Sequence, residues 1–174
     1  MRILPLSADA HLIRGGDCFY RGDYTSALAH YDRAVRRKPH YAEAHYNRGV
    51  TLGELGRREE ALAAYDRAIE HKPDYASAYS NRAASLLILG RYVEALAAAD
   101  RALGIEPDDS TARYNRACAL ARLDRREDAL ADLRDAIRRD PSHKDNAKAD
   151  PDFESLRDDP DFRALVGLDD QPPA

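Results

Sequence analysis

The chain has 174 residues, 33% of them charged, and a formal net charge of −4 at pH 7. With two cysteines and no tryptophan it is not a disulfide-built secreted domain. Residues 1–143 carry a net charge of +1 and residues 144–174 one of −5. The repeated part therefore lacks the basic stripe that displaces counterions from a nucleic acid and the polybasic surface that holds to anionic lipid. Met1–Ser7 is a short lead-in with one basic residue and an apolar run too brief for a signal peptide. No stretch is long enough to span a bilayer, so the expected compartment is the cytoplasm.

From Ala8 onward the sequence copies itself. Ala42 to Tyr75 reads AEAHYNRGVTLGELGRREEALAAYDRAIEHKPDY, and 34 residues later comes ASAYSNRAASLLILGRYVEALAAADRALGIEPDD. Pro39, Pro73, Pro107 and Pro141 keep the same spacing. So do two alanine columns, Ala27, Ala61, Ala95 and Ala129, and Ala34, Ala68, Ala102 and Ala136. A third column is Gly15, Gly49, Ala83 and Ala117, small enough to let helix backbones approach. Larger apolar residues recur at helical spacing, as in Leu62, Tyr65 and Ile69. Each copy therefore reads as two helices, in the second copy Ala42–Leu55 and Arg58–His71. Gly56 stands at the left-handed position after the first helix, with Gly22 and Gly90 in step and Asp124 as a poorer substitute. The closing proline pushes its predecessor out of helical geometry. Units of this kind bury their apolar faces only against their neighbours.

This pattern resembles the tetratricopeptide repeat, a helical hairpin with small residues at its eighth, twentieth and twenty-seventh positions and proline at its thirty-second. The resemblance covers Ala8 to His143 in four copies, 8–41, 42–75, 76–109 and 110–143. It implies an all-α, right-handed α-solenoid of four hairpins. The family's aromatic fourth position is matched by Tyr79, loosely by His11 and His45, and not by Arg113. Its leucine at the seventh position is replaced by Arg14, Arg48, Arg82 and Arg116. Asp32, Asp66 and Asp100 lie in the second helix of the preceding copy, so an Arg–Asp pair between copies is expected.

After Pro141 the period fails. Ser142–Ala149 starts like another first helix and stops at Asp150–Pro151. A smaller duplication follows, DPDFESLRD and DPDFRALVG. Asp150 and Asp159 suit helix N-caps, with Pro151 and Pro160 at the first helical position. Phe153 with Leu156, and Phe162 with Leu165, give each short helix one apolar face. Residues 144–168 are expected to cap the last hairpin, and 169–174 to be a disordered tail.

Candidate functional residues come from the first helices, which the resemblance places on a concave face. Asn47, Asn81 and Asn115 share the sixth position, where the first copy has Ile13. A row of amides, each both donor and acceptor, could clamp the backbone of an extended peptide, as the asparagine ladder of the O-linked N-acetylglucosamine transferases implies. It could equally bond to neighbouring helices. Tyr46 and Tyr114 with Val50, Ala84, Leu87 and Cys118 make the same face half-apolar, suited to a peptide or a partner helix. Cys118 is placed at that face and Cys18 in the core, both reduced.

Family members that grip acidic chaperone tails use a basic clamp. Here the corresponding positions hold Leu12, Gly16, Tyr46, Val50 and Thr111, so that function is not expected. No metal spacing, phosphate loop, dinucleotide fingerprint or nucleophile elbow occurs. The sequence thus points to a non-catalytic protein-interaction scaffold without cofactor or metal, binding a protein or peptide in its groove. Self-association into a homo-oligomer is the alternative.

Overall fold

A computed structural model describes residues 6–168. Among them the chain is all-α. It runs α1 (Ala8–Tyr20), α2 (Tyr24–Arg37), α3 (Ala42–Glu54), α4 (Arg58–His71), α5 (Ala76–Ile88), α6 (Tyr92–Ile105), α7 (Ser110–Arg122) and α8 (Arg126–Arg139). Then come α9 (Ser142–Ala149), a 3-10 turn (Pro151–Leu156) and α10 (Pro160–Val166). Most of the lead-in and the whole of the expected tail at 169–174 fall outside the described residues. No helix among the described residues is long and apolar enough to cross a membrane. The chain divides into two compact bodies, Met1–Ser85 and Leu86–Ala174.

The turn between the two helices of a hairpin has one geometry throughout. Gly22, Gly56 and Gly90 have φ of 77°, 74° and 72°, and Asp124 takes the same place at 56°. Aspartate is among the few residues whose short polar side chain tolerates that region.

In the N-terminal body the alanine columns form the seam between helices: Ala27, Ala34, Ala61 and Ala68 are fully buried. The glycine column does something more specific than admit a backbone. A Cβ on Gly49 would stand 2.6 Å from Cε1 of Tyr65, and one on Gly15 would stand 2.5 Å from Cε1 of Tyr31. Each tyrosine ring, buried in its second helix, lies flat over the glycine of its first. Where the column changes to alanine, the ring position changes too: Ala117 is matched in its hairpin by Leu133, both fully buried.

The Arg–Asp pairs form as the register requires. Arg48 Nε donates to Asp32 at 2.7 Å and Arg82 Nε to Asp66 at 2.8 Å. In the C-terminal body Arg116 reaches Asp100 at 3.0 Å and also clasps Asp132 through Nε and Nη2, at 2.6 and 2.8 Å. These part-exposed pairs orient successive helices and add about 0–1 kcal/mol each. The departures at the fourth position share a second role. His45 Nε2 donates to the Pro39 carbonyl at 2.8 Å, and Arg113 Nη2 donates to the Pro107 carbonyl at 2.6 Å. Both side chains tie the first helix back to the proline turn that precedes it.

The C-terminal body closes with the expected cap. Asp150 accepts from the Asp152 backbone N–H, and Asp159 from those of Asp161 and Phe162. Arg126 is paired with Asp159. Phe153, Phe162 and Val166 are fully buried, and the ring centroids of the two phenylalanines are 5.6 Å apart. The 3-10 turn packs on α7, and α9 and α10 pack on α8.

Histidines give the N-terminal body a pH dependence. His11 and His30 share one Nδ1–Nδ1 hydrogen bond of 3.0 Å, which fails when both rings are protonated. Burial, and next its neighbour His30, lowers the pKa of His11; burial and nearby arginines lower that of His30; burial lowers that of His45. The unfolded chain therefore binds protons more readily. The stability these groups contribute is full above about pH 6.5 and is lost as pH falls from there through their folded values. In the C-terminal body the lowered His143 is opposed by Asp152, which burial and then Asp150 raise to about 6. Amide exchange between pH 7.5 and 5.0, corrected for intrinsic rates, should show protection falling more in α1–α3 than in α7–α10. His30→Gln should flatten the difference; equal losses in both bodies would contradict it.

Candidate peptide-binding site

Helices α1, α2 and α3 of the N-terminal body border a half-open cavity of about 260 Å³, lined by Gly16, Phe19 and Tyr20 of α1, Tyr31 of α2, and Tyr46, Asn47 and Val50 of α3. Tyr31 is its buried floor and Gly16 leaves room above that ring. Burial, then Tyr20, Cys18 and Glu43, push the Tyr31 hydroxyl up to about 12, so it stays protonated. One wall is open to solvent: Tyr20 is 90% exposed, and Ile13, two turns earlier on the same face, is 65% exposed. Among the described residues the Asn47 side-chain amide has no partner; its backbone carbonyl accepts from Thr51 Oγ1 at 2.8 Å. The cavity thus offers aromatic surface, one aliphatic wall and one free amide.

Three residues expected at a groove, Tyr46, Asn47 and Val50, come together here. Asn81 is already engaged: its Nδ2 donates to the Tyr46 hydroxyl at 2.9 Å. Tyr46 itself is wedged between hairpins, its ring 4.8 Å from Tyr75 and 6.1 Å from Tyr65. Ala84 is half-buried.

The expected residues of the C-terminal body are placed differently. Leu87, Tyr114, Asn115 and Cys118 are all buried, Cys118 to 1% exposure. Leu87, Tyr114 and Cys118, expected as groove walls, expose little of their side chains, and the C-terminal segment gives the reason for two of them. The Tyr114 ring stacks on His143 at 4.7 Å and meets Phe153 edge-on at 5.7 Å. Its hydroxyl donates to Asp150 Oδ2 at 2.8 Å, and Cys118 Sγ lies 3.8 Å from the same oxygen. The Tyr114–His143 contact repeats the Tyr46–Tyr75 contact two periods on, so α9 stands where the first helix of a fifth hairpin would.

Cys118, Asp150 and Asp152 are also the one group among the described residues whose donor atoms gather within 4.8 Å of one another. Burial, and then the Asp150 and Asp152 carboxylates, push the Cys118 thiol up. Tyr114 and Cys118 both bond to the half-buried Asp150, and this group fastens the cap to α7.

Gly16, Phe19, Tyr20 and Tyr31 were not legible as cavity residues. They belong to the least regular copy, where Gly15–Gly16 reads as a weak helix rather than as space for a ring.

Family models described as TPR repeat or tetratricopeptide repeat match residues 15–56, 42–75, 64–97 and 110–143. The chain belongs to the tetratricopeptide repeat family. No curated protein matches it. Among solved structures, MamA residues 41 to the end from Desulfovibrio magneticus RS-1 is similar at 20% identity and TM-score 0.76, covering 99% of this chain and 100% of that one. YrrB, described as a TPR protein with an unusual peptide-binding site, gives 21% identity and TM-score 0.77 over 95% of this chain and 87% of its own. The first tetratricopeptide domain of Spaghetti (RPAP3), bound to the HSP90 peptide SRMEEVD, gives 24% and 0.66 over 67% of this chain and 93% of its own. At these identities the likeness is one of fold.

Proposed function

We propose that this tetratricopeptide repeat protein is a non-catalytic interaction scaffold that holds an extended peptide or partner segment in the N-terminal cavity between α1 and α3. The observation that carries this is the cavity itself, with an aromatic floor, an exposed Tyr20 wall and the free Asn47 amide directed by the same helix face as Tyr46 and Val50. A half-open aromatic pocket takes one side chain of the partner, while an amide can bond its backbone without reading its sequence. The peptide-bound and peptide-binding neighbours of the same fold support the class of function.

The test is affinity capture from a cell lysate with wild type beside Tyr20→Ala/Asn47→Ala, whose fold is first verified by circular dichroism. Both side chains are outside the packed seams, so the helicity should hold. Loss of the retained partner, with affinity lowered about tenfold or more once it is isolated, is expected. Equal retention by both proteins would place binding elsewhere. Exposed Ile13 and Tyr20 on one face favour self-association as the second reading; a protein that stays monomeric by light scattering at high concentration would dismiss it.

A further inference from the structure

Three carboxylates near the cavity are left without an ion pair among the described residues. Glu43 lies one turn before Asn47 on α3 and Glu54 one turn after Val50, so both share the face that lines the cavity. Asp17 follows Gly16 on α1. All three are exposed, and none makes an ion pair among the described residues. Elsewhere in this body Asp32, Glu60, Asp66 and Glu70 are each held by an arginine. Three of the nearby cations are held by other acceptors: Arg21 reaches Cys18 Sγ at 3.5 Å, Arg48 is on Asp32, and Arg58 is bonded to the Gly53 carbonyl. An aromatic cavity rimmed by unanswered carboxylates is complementary to an apolar side chain flanked by cations.

Resting on the proposed groove, we infer that its ligand is a segment with one aromatic or aliphatic anchor between two lysines or arginines, the cations meeting Glu43 and Glu54. At about 1.5 Å per residue the two glutamates are about 16 Å apart along α3. That corresponds to about five residues of extended peptide. The same charges disfavour acidic tails of the kind seen in the Spaghetti complex. The inference is narrower than peptide binding as such, and it fails separately.

Selection of a random displayed peptide library against the full chain tests it. Enriched sequences should carry Lys or Arg about five positions apart around an aromatic or aliphatic residue. A fluorescein-labelled consensus peptide should bind Glu43→Gln/Glu54→Gln about three- to tenfold more weakly than wild type. Raising salt from 50 to 500 mM should weaken wild type towards the variant and leave the variant nearly unchanged. If the enriched peptides are neutral or acidic but are lost on Tyr20→Ala/Asn47→Ala, the charge inference is overturned and the groove stands. If no sequence is enriched, or enriched peptides bind Tyr20→Ala/Asn47→Ala as well as wild type, both are overturned.

Discussion

Phe153→Ala is expected to cost the C-terminal body about 3–5 kcal/mol, the range for removing a buried phenylalanine side chain. The ring is fully buried, edge-on to Tyr114 and beside Phe162. Losing it opens a cavity beside the Cys118–Asp150 cluster and uncovers Tyr114. Stability in a repeat fold is the sum of each hairpin and its neighbour contacts, so the loss should be local. Amide exchange should show protection falling in α7, α8 and α9 first, together with a lower midpoint in urea. Phe153→Leu keeps most of the volume and should cost less than about 1.5 kcal/mol. An alanine variant within about 1 kcal/mol of wild type would mean that the DPDF segment does not seal the last hairpin.

Gly49→Ala should destabilise the N-terminal body even though alanine is the better helix former. The substitution gains up to about 1 kcal/mol in propensity. Against that, its Cβ would fall 2.6 and 2.7 Å from two ring atoms of Tyr65, a residue only 3% exposed and so unable to swing clear. Forcing extra carbon into a packed seam costs about 1–3 kcal/mol, which leaves a net loss. The fourth hairpin shows the compatible pair, Ala117 with Leu133. Gly49→Ala/Tyr65→Leu should therefore be more stable than the two single changes predict, with a coupling of at least about 1 kcal/mol in a double-mutant cycle. Additive energies would show that glycine and tyrosine do not answer each other's size.

The hairpins could be read from the chain because their determinants are local and repeated. A left-handed turn at Gly56 needs no partner to favour it, and the same spacing at Gly22, Gly90 and Asp124 raises a weak preference to a register. The Arg–Asp pairs followed from that register, since Arg48, Arg82 and Arg116 stand sixteen residues from their aspartates in every copy. The candidate site was less legible. The asparagine row looks uniform in sequence, yet Asn81 is spent on Tyr46 while Asn47 is free. Identical positions in a repeat differ in function once their neighbours differ, and Tyr20, the most exposed wall of the cavity, recurs as Glu54, Ile88 and Arg122.

The sequence by itself determined the all-α hairpins, their family and the capping role of Asp150 and Asp159, because periodic burial, turn chemistry and N-caps act within a few residues along the chain. Tertiary structure alone decided which of the expected residues are covered within each body. Tyr114 and Cys118 close under His143, Asp150 and Phe153, whereas Tyr46, Asn47 and Val50, though Tyr46 packs on Tyr65 and Tyr75, keep one side on the half-open cavity that Gly16 and the outward Tyr20 of α1 also line. The physical reason is that accessibility depends on the volume and hydrogen bonds of whatever packs across a position. Those belong to residues tens of positions away, which no local pattern records.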